Sequence, residues 1–94
     1  MKYFAVFLPM KDEAKSKQYR PQHLDFLEKM RNMKRILLFG RMTDGAGGLI
    51  IYQGKSLEEV KNWAKNDPYV ELGARGFEIH EWEMQTDYTI TKPN

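Results

Sequence analysis

One histidine and one aspartate carry the chemistry most open to this chain. His23 follows Arg20-Pro21-Gln22 at the head of one helical pattern. Asp67 closes another, in Trp63-Ala64-Lys65-Asn66-Asp67-Pro68-Tyr69-Val70, where Pro68 stops the helix. A histidine held by a carboxylate is the smallest unit of general acid and base catalysis, because the carboxylate fixes tautomer and orientation and stabilises the imidazolium. Taken singly, each residue has a plainer reading. His23 is then a helix-entry residue, and Asp67-Pro68 an ordinary stop at a helix end where the dipole does not favour a negative charge. Only a fold that brings the two together makes a site of them.

Around this pair, Arg20 and Arg41 are candidates to bind an anionic substrate or a developing oxyanion, with solvated loop arginines as the alternative for either alone. Tyr69 offers its hydroxyl to the same pocket or packs beneath the loop. His80, flanked by Glu78 and Glu81, reads as surface or subunit contact. No metal is expected, since the chain lacks cysteine and His23 with Asp67 and Asp44 would be a sparse ligand set. Gly45-Ala46-Gly47-Gly48 leads into a strand and not a helix N-terminus, so it is no phosphate loop. No P-loop, dinucleotide fingerprint or nucleophile elbow is present, and no cofactor is expected.

The elements that must position these residues follow from periodicity. Tyr3 to Leu8 is an unbroken β-prone run ended by Pro9, which predicts a central strand buried on both faces. Lys11 to Tyr19 is charged and aperiodic, a loop. From Pro21 to about Lys34, His23, Leu27, Met30 and Lys34 recur at helical spacing. Ile36–Phe39 and Leu49–Tyr52 are strands joined by the Thr43–Gly48 turn. Ser56-Leu57-Glu58-Glu59 is a capping box opening a helix whose Val60, Ala64 and Asp67 share one stripe. Phe77–Met84 alternates as an edge strand, and residues 85–94 are polar, a loose tail.

The order βαββαβ specifies an α+β, ferredoxin-like fold: a four-stranded antiparallel sheet with two helices on one face. Right-handed crossovers put the start of the first helix and the end of the second at one end of the sheet, so His23 and Asp67 become neighbours. The loops with Arg20, Arg41, Asp44 and Arg75 come to the same rim. Because both helices cover one face while the first strand is apolar on both, the other face needs a partner sheet, which predicts a face-to-face homodimer.

Composition bounds the rest. Ninety-four residues, 41% hydrophobic and 30% charged, suit a single domain over 1–94, and a net charge of +2 is no concentrated basic footprint. RNA-recognition modules share the chain order but need stacking aromatics where this chain has Leu49-Ile50-Ile51, so nucleic acid is not an expected partner. Met1–Leu8 is too brief for a signal sequence or a membrane span, and with no cysteine the expected location is the cytoplasm.

Arg20-Pro21-Gln22-His23-Leu24, Leu37-Leu38-Phe39-Gly40, Ser56-Leu57-Glu58 and Trp63 to Val70 together resemble the YCII-related family. The resemblance implies a ferredoxin-like fold within the dimeric α+β barrel superfamily, with His23 and Asp67 as an active-site dyad. One departure is Gly40-Arg41 where the family commonly has Gly-Pro, which adds a charge at the rim. Superfamily likeness to muconolactone-type isomerases and dehalogenases implies isomerase or lyase chemistry on a small organic acid or carbonyl compound. A non-catalytic small-ligand binding or sensing domain is the alternative, and a monooxygenase of the same superfamily a third.

Overall fold

A computed structural model describes residues 1–89. The central strand β1 (Lys2–Pro9) pairs antiparallel with β3 (Gly47–Gly54) on one side and β4 (Glu78–Trp82) on the other; β2 (Ile36–Arg41) lies outside β3. The resulting order, β2-β3-β1-β4, is that of the ferredoxin-like fold, with the helices packed on one face. Phe4, Val6 and Leu8 of β1 are buried, as are Ile50 and Tyr52 of β3, and they meet Leu27, Met30, Val60 and Ala64 of the helices.

The opposite face departs from expectation. Tyr3, Ala5 and Phe7 are half-buried, so within one chain β1 is covered fully on its helical face only. Leu38, 52% exposed, and Trp82, 44% exposed, share that open face through their pairing with Ile51 and Tyr3.

Four helical segments replace the expected two. The stretch expected as a loop contains α1 (Glu13–Gln18), started by Asp12, whose carboxylate accepts from the Lys15 N–H at 3.0 Å. The helix α2 runs Arg20–Asn32. Its buried stripe ends at Met30, because the chain turns at Lys34, an exposed residue with φ of 61°, which therefore does not extend the stripe as its spacing suggested.

The capping box forms at α3 (Leu57–Ala64): the Glu59 N–H donates to Ser56 Oγ at 3.2 Å, while Glu59 Oε2 accepts from the Lys55 N–H at 2.8 Å. This helix ends before Asp67, and a further one, α4 (Pro68–Glu71), begins after it. Pro68 both stops and restarts, since a missing N–H is harmless in a first helical turn.

At the β2–β3 turn, the Ala46 N–H donates to Asp44 Oδ1 at 2.9 Å. Gly47, at φ of 150°, runs so close to Leu8 O and Pro9 Cα that any side chain would collide with backbone. Residues 85–89 hold no helix or strand; the rest of the expected tail lies outside the described residues. Among the described residues, no helix is long and apolar enough to cross a membrane.

Candidate functional site

The sheet end where β1 and β2 finish and β3 begins opens into a cleft of about 150 Å³. Leu8, Leu24, Leu27, Phe39 and Ile50 give it an apolar lining beside Gly40 and Gly48, and Arg20, His23, Arg41, Tyr69 and Arg75 a polar one. The chain order brings these residues together from the β1 end, α2, the β2 end, the β3 start, α4 and the loop before β4.

His23 Nδ1–H donates to Asp67 Oδ1 at 2.7 Å, with the histidine side chain 12% exposed and the aspartate 1%. A carboxylate acceptor fixes the proton on Nδ1 and leaves Nε2, which has no protein partner among the described residues, as the nitrogen open to a ligand. Asp67 Oδ1 also accepts from the Tyr69 N–H at 2.9 Å, making Asp67 the N-cap of α4. The electrostatic expectation is thereby reversed: Asp67 stands at the favourable N-terminal end of a helix rather than at the unfavourable C-terminal end.

Tyr69 packs its ring on the imidazole, centroids 3.9 Å apart and planes 11° from parallel. Its hydroxyl donates to Ser16 O at 2.9 Å, so the phenol is anchored away from the cleft and offers the ring rather than the O–H. Burial raises the Tyr69 phenol above its ordinary range, against the lowering by Arg75 and Arg20, with Asp67 adding to the rise.

Arg20 and Arg41 both line the cleft and both are exposed. Asp44 does not line it, being occupied in its turn. Arg75, placed at this rim by chain order but given no role there, is held within the site. Its Nε–H donates to Ser16 Oγ at 3.0 Å, and its guanidinium lies 4.6 Å from the Tyr69 ring centre. Ser16 itself sits on the helix α1 that the periodicity did not show. Two deeper polar atoms, Tyr52 Oη and Asp67 Oδ2, are buried without a hydrogen-bond partner among the described residues. Burial, and then the Asp67 charge, push the Tyr52 phenol far above its ordinary range. Among the described residues, no group of three or more histidine, cysteine, aspartate or glutamate side chains is arranged to hold a metal ion.

The fold is similar to that of a 5-chloro-2-hydroxyhydroquinone dehydrochlorinase from Burkholderia phenoliruptrix, solved in complex with 2,5-dihydroxybenzoquinone. The TM-score is 0.75 and the identity 19%, over 88% of this chain and 95% of that one. In sequence, the chain is 30% identical to the uncharacterised protein YjpA of Bacillus subtilis over 83 residues, covering 88% of this chain and 98% of that protein. The YCII-related domain matches residues 1–83, and the chain belongs to that family.

Proposed function

We propose that this protein is a small-molecule enzyme in which His23 is the general acid or base and Asp67 its orienter, acting on a small organic acid or carbonyl compound. The observation that carries the reading is the 2.7 Å Nδ1–Oδ1 hydrogen bond, which leaves Nε2 without a protein partner among the described residues, on a histidine that lines the cleft. A space of about 150 Å³ is the size of one six-membered ring. The natural step is removal of a proton from a carbon next to a carbonyl. Nε2 takes the proton and the C–H pair becomes the enolate double bond. The proton then returns at another carbon, giving isomerisation, or a β-substituent leaves with its electron pair, giving elimination. The structural neighbour is a dehydrochlorinase by name, and loss of hydrogen chloride is an elimination, which supports the class, not the substrate. Arg20 and Arg41 complete the pocket with positive charge for the ligand, while the Tyr69 ring holds the imidazole in place.

Exchange of carbon-bound protons for deuterium, followed by NMR across a panel of enolisable ring ketones, hydroxyquinones and small acids in D2O, tests the chemistry without knowledge of the product. Wild type is expected to catalyse exchange on at least one member, and His23→Ala to slow it by about a hundredfold or more. Exchange undiminished in His23→Ala overturns the reading, and binding without exchange makes the cleft a sensor.

The homodimer expected from the first strand belongs to the same proposal. The open face carries Leu38 and Trp82 beside half-buried Tyr3, Ala5 and Phe7, an apolar surface suited to its own copy. Light scattering of wild type at micromolar concentration is expected to give twice the chain mass, and Leu38→Glu the single mass; a monomeric wild type refutes it.

A further inference from the structure

The cleft lining carries three arginines and His23 and no carboxylate, Asp67 lying behind the imidazole. The arginines are not equivalent. Arg20 and Arg41 stand exposed at the mouth, and neither hydrogen-bonds nor ion-pairs through its side chain among the described residues. Their long stems must be ordered before either can hold a ligand.

Arg75 is ordered already. Ser16 ties it from two directions: its Oγ accepts from Arg75 Nε–H at 3.0 Å, and its carbonyl accepts from the hydroxyl of the Tyr69 ring on which the guanidinium lies. Nη1 reaches toward Leu8 O at 3.5 Å and passes beside Gly48, where a Cβ would stand 3.7 Å from it, in ordinary contact. No carboxylate among the described residues neutralises it. A fixed guanidinium without an acid partner presents its remaining N–H fork at little further entropic cost, in the geometry that matches a carboxylate.

The imidazole stacks on the same tyrosine ring at 3.9 Å. Two planar groups that close to one ring centre cannot share a face, so Tyr69 separates His23 from Arg75 by the thickness of one aromatic ring. A ligand spanning both therefore has its anionic group and its reacting carbon at a set separation of a few bonds.

The geometry points to Arg75 as the specificity-determining residue that fixes the ligand's carboxylate, and to ring-sized carboxylic acids as the ligand class. This rests on the cleft being the ligand site proposed above. Arg20 and Arg41 then add charge at the mouth without setting the ligand's orientation.

Isothermal titration with benzoate, its neutral counterpart benzamide and inorganic phosphate tests it in wild type, Arg75→Gln, Arg75→Lys and Arg41→Gln. Benzoate is expected to bind wild type, with benzamide and phosphate at least about tenfold weaker, the size of one charge-assisted contact. Arg75→Gln is expected to weaken benzoate about tenfold or more while leaving benzamide unchanged. Arg75→Lys recovers part of the loss, and Arg41→Gln costs less than Arg75→Gln. Circular dichroism confirms that the variants are folded, and Arg75→Lys, which keeps a long stem over Tyr69, gives a readable result where Arg75→Gln does not fold.

No benzoate binding by wild type, benzoate binding unchanged in both Arg75 variants, a larger loss in Arg41→Gln, or phosphate as tight as benzoate overturns the inference. Arg75-dependent benzoate binding with no proton exchange on any acid leaves this inference standing and removes the acid–base reading. Exchange that needs His23 but not Arg75 removes this inference alone.

Discussion

The molecule has two histidines with acidic neighbours, in opposite settings. His80 has the acids closer in sequence, Glu78 and Glu81 on the same edge strand, yet it is exposed and neither of its ring nitrogens meets a protein partner among the described residues. Glu78 shares its face about 6.5 Å along the strand, yet no hydrogen bond or ion pair joins the two side chains among the described residues. His23 finds its acid in Asp67, the N-cap of α4, and the bond forms where both side chains are nearly withdrawn from solvent. Proximity in sequence does not make a hydrogen-bonded pair. Convergence with burial does, because only there does water stop competing for both partners.

Removing the buried acid is the strongest way to break this contrast. Asp67→Ala deprives both the Tyr69 N–H and the His23 Nδ1–H of their acceptor in a desolvated place. The expected cost is about 2–4 kcal/mol, read as a lower urea midpoint with an unchanged slope. Asp67→Asn keeps one acceptor oxygen and is expected to cost less. Equal stability of Asp67→Ala and wild type would show that the aspartate caps nothing of consequence.

Tyr69→Phe cuts more finely. It keeps the ring between His23 and Arg75 but leaves the Ser16 carbonyl without its donor, at a cost of about 1 kcal/mol. Thermal unfolding measures it, and the stack should keep the His23 ring protons at their shielded NMR positions. A large change in those positions would mean that the hydroxyl, not the packing, holds the ring in place.

Tyr52 sharpens the buried side by pH. Its folded-state phenol is raised above the ordinary value near 10 by burial and by Asp67, so the proton is held more tightly in the folded chain than in the unfolded one. The stability this contributes is present in full below about pH 10 and is lost as pH rises above it. Tyr52→Phe is therefore expected to lose less stability than wild type between pH 8 and pH 11, by urea unfolding at both values. Identical losses would place the phenol in contact with water.

Much of this arrangement was legible in the residues. The runs Tyr3 to Leu8, Ile36 to Phe39 and Leu49 to Tyr52, with the Ser56 capping box, specify enough of the chain order to bring His23 and Asp67 to one end, and the pair is found there. The short helices were not legible, for different reasons. The six residues of α1 carry no apolar stripe, leaving only Asp12 as a start signal; Asp67-Pro68 obeys the same rule for ending a helix as for beginning one. The anchoring of Arg75 was not legible either, since Ser16 on α1 and Tyr69 on α4 are what hold it. Stacking and side-chain anchoring leave no period in a sequence.

The smallest effect belongs to the other histidine. His80 and Glu78 stand on the helix-free face opposite Ala5 and Phe7, so in a single chain His80→Ala removes only solvated contacts. Its stability should stay within about 0.5 kcal/mol of wild type, and proton exchange and benzoate affinity should not change. The substitution also separates the two faces. If it weakens the dimer seen by light scattering while leaving the cleft untouched, the open face belongs to assembly and the helical end to the ligand. If it alters benzoate affinity instead, the two faces are coupled through β1, and the contrast between the histidines is one of degree.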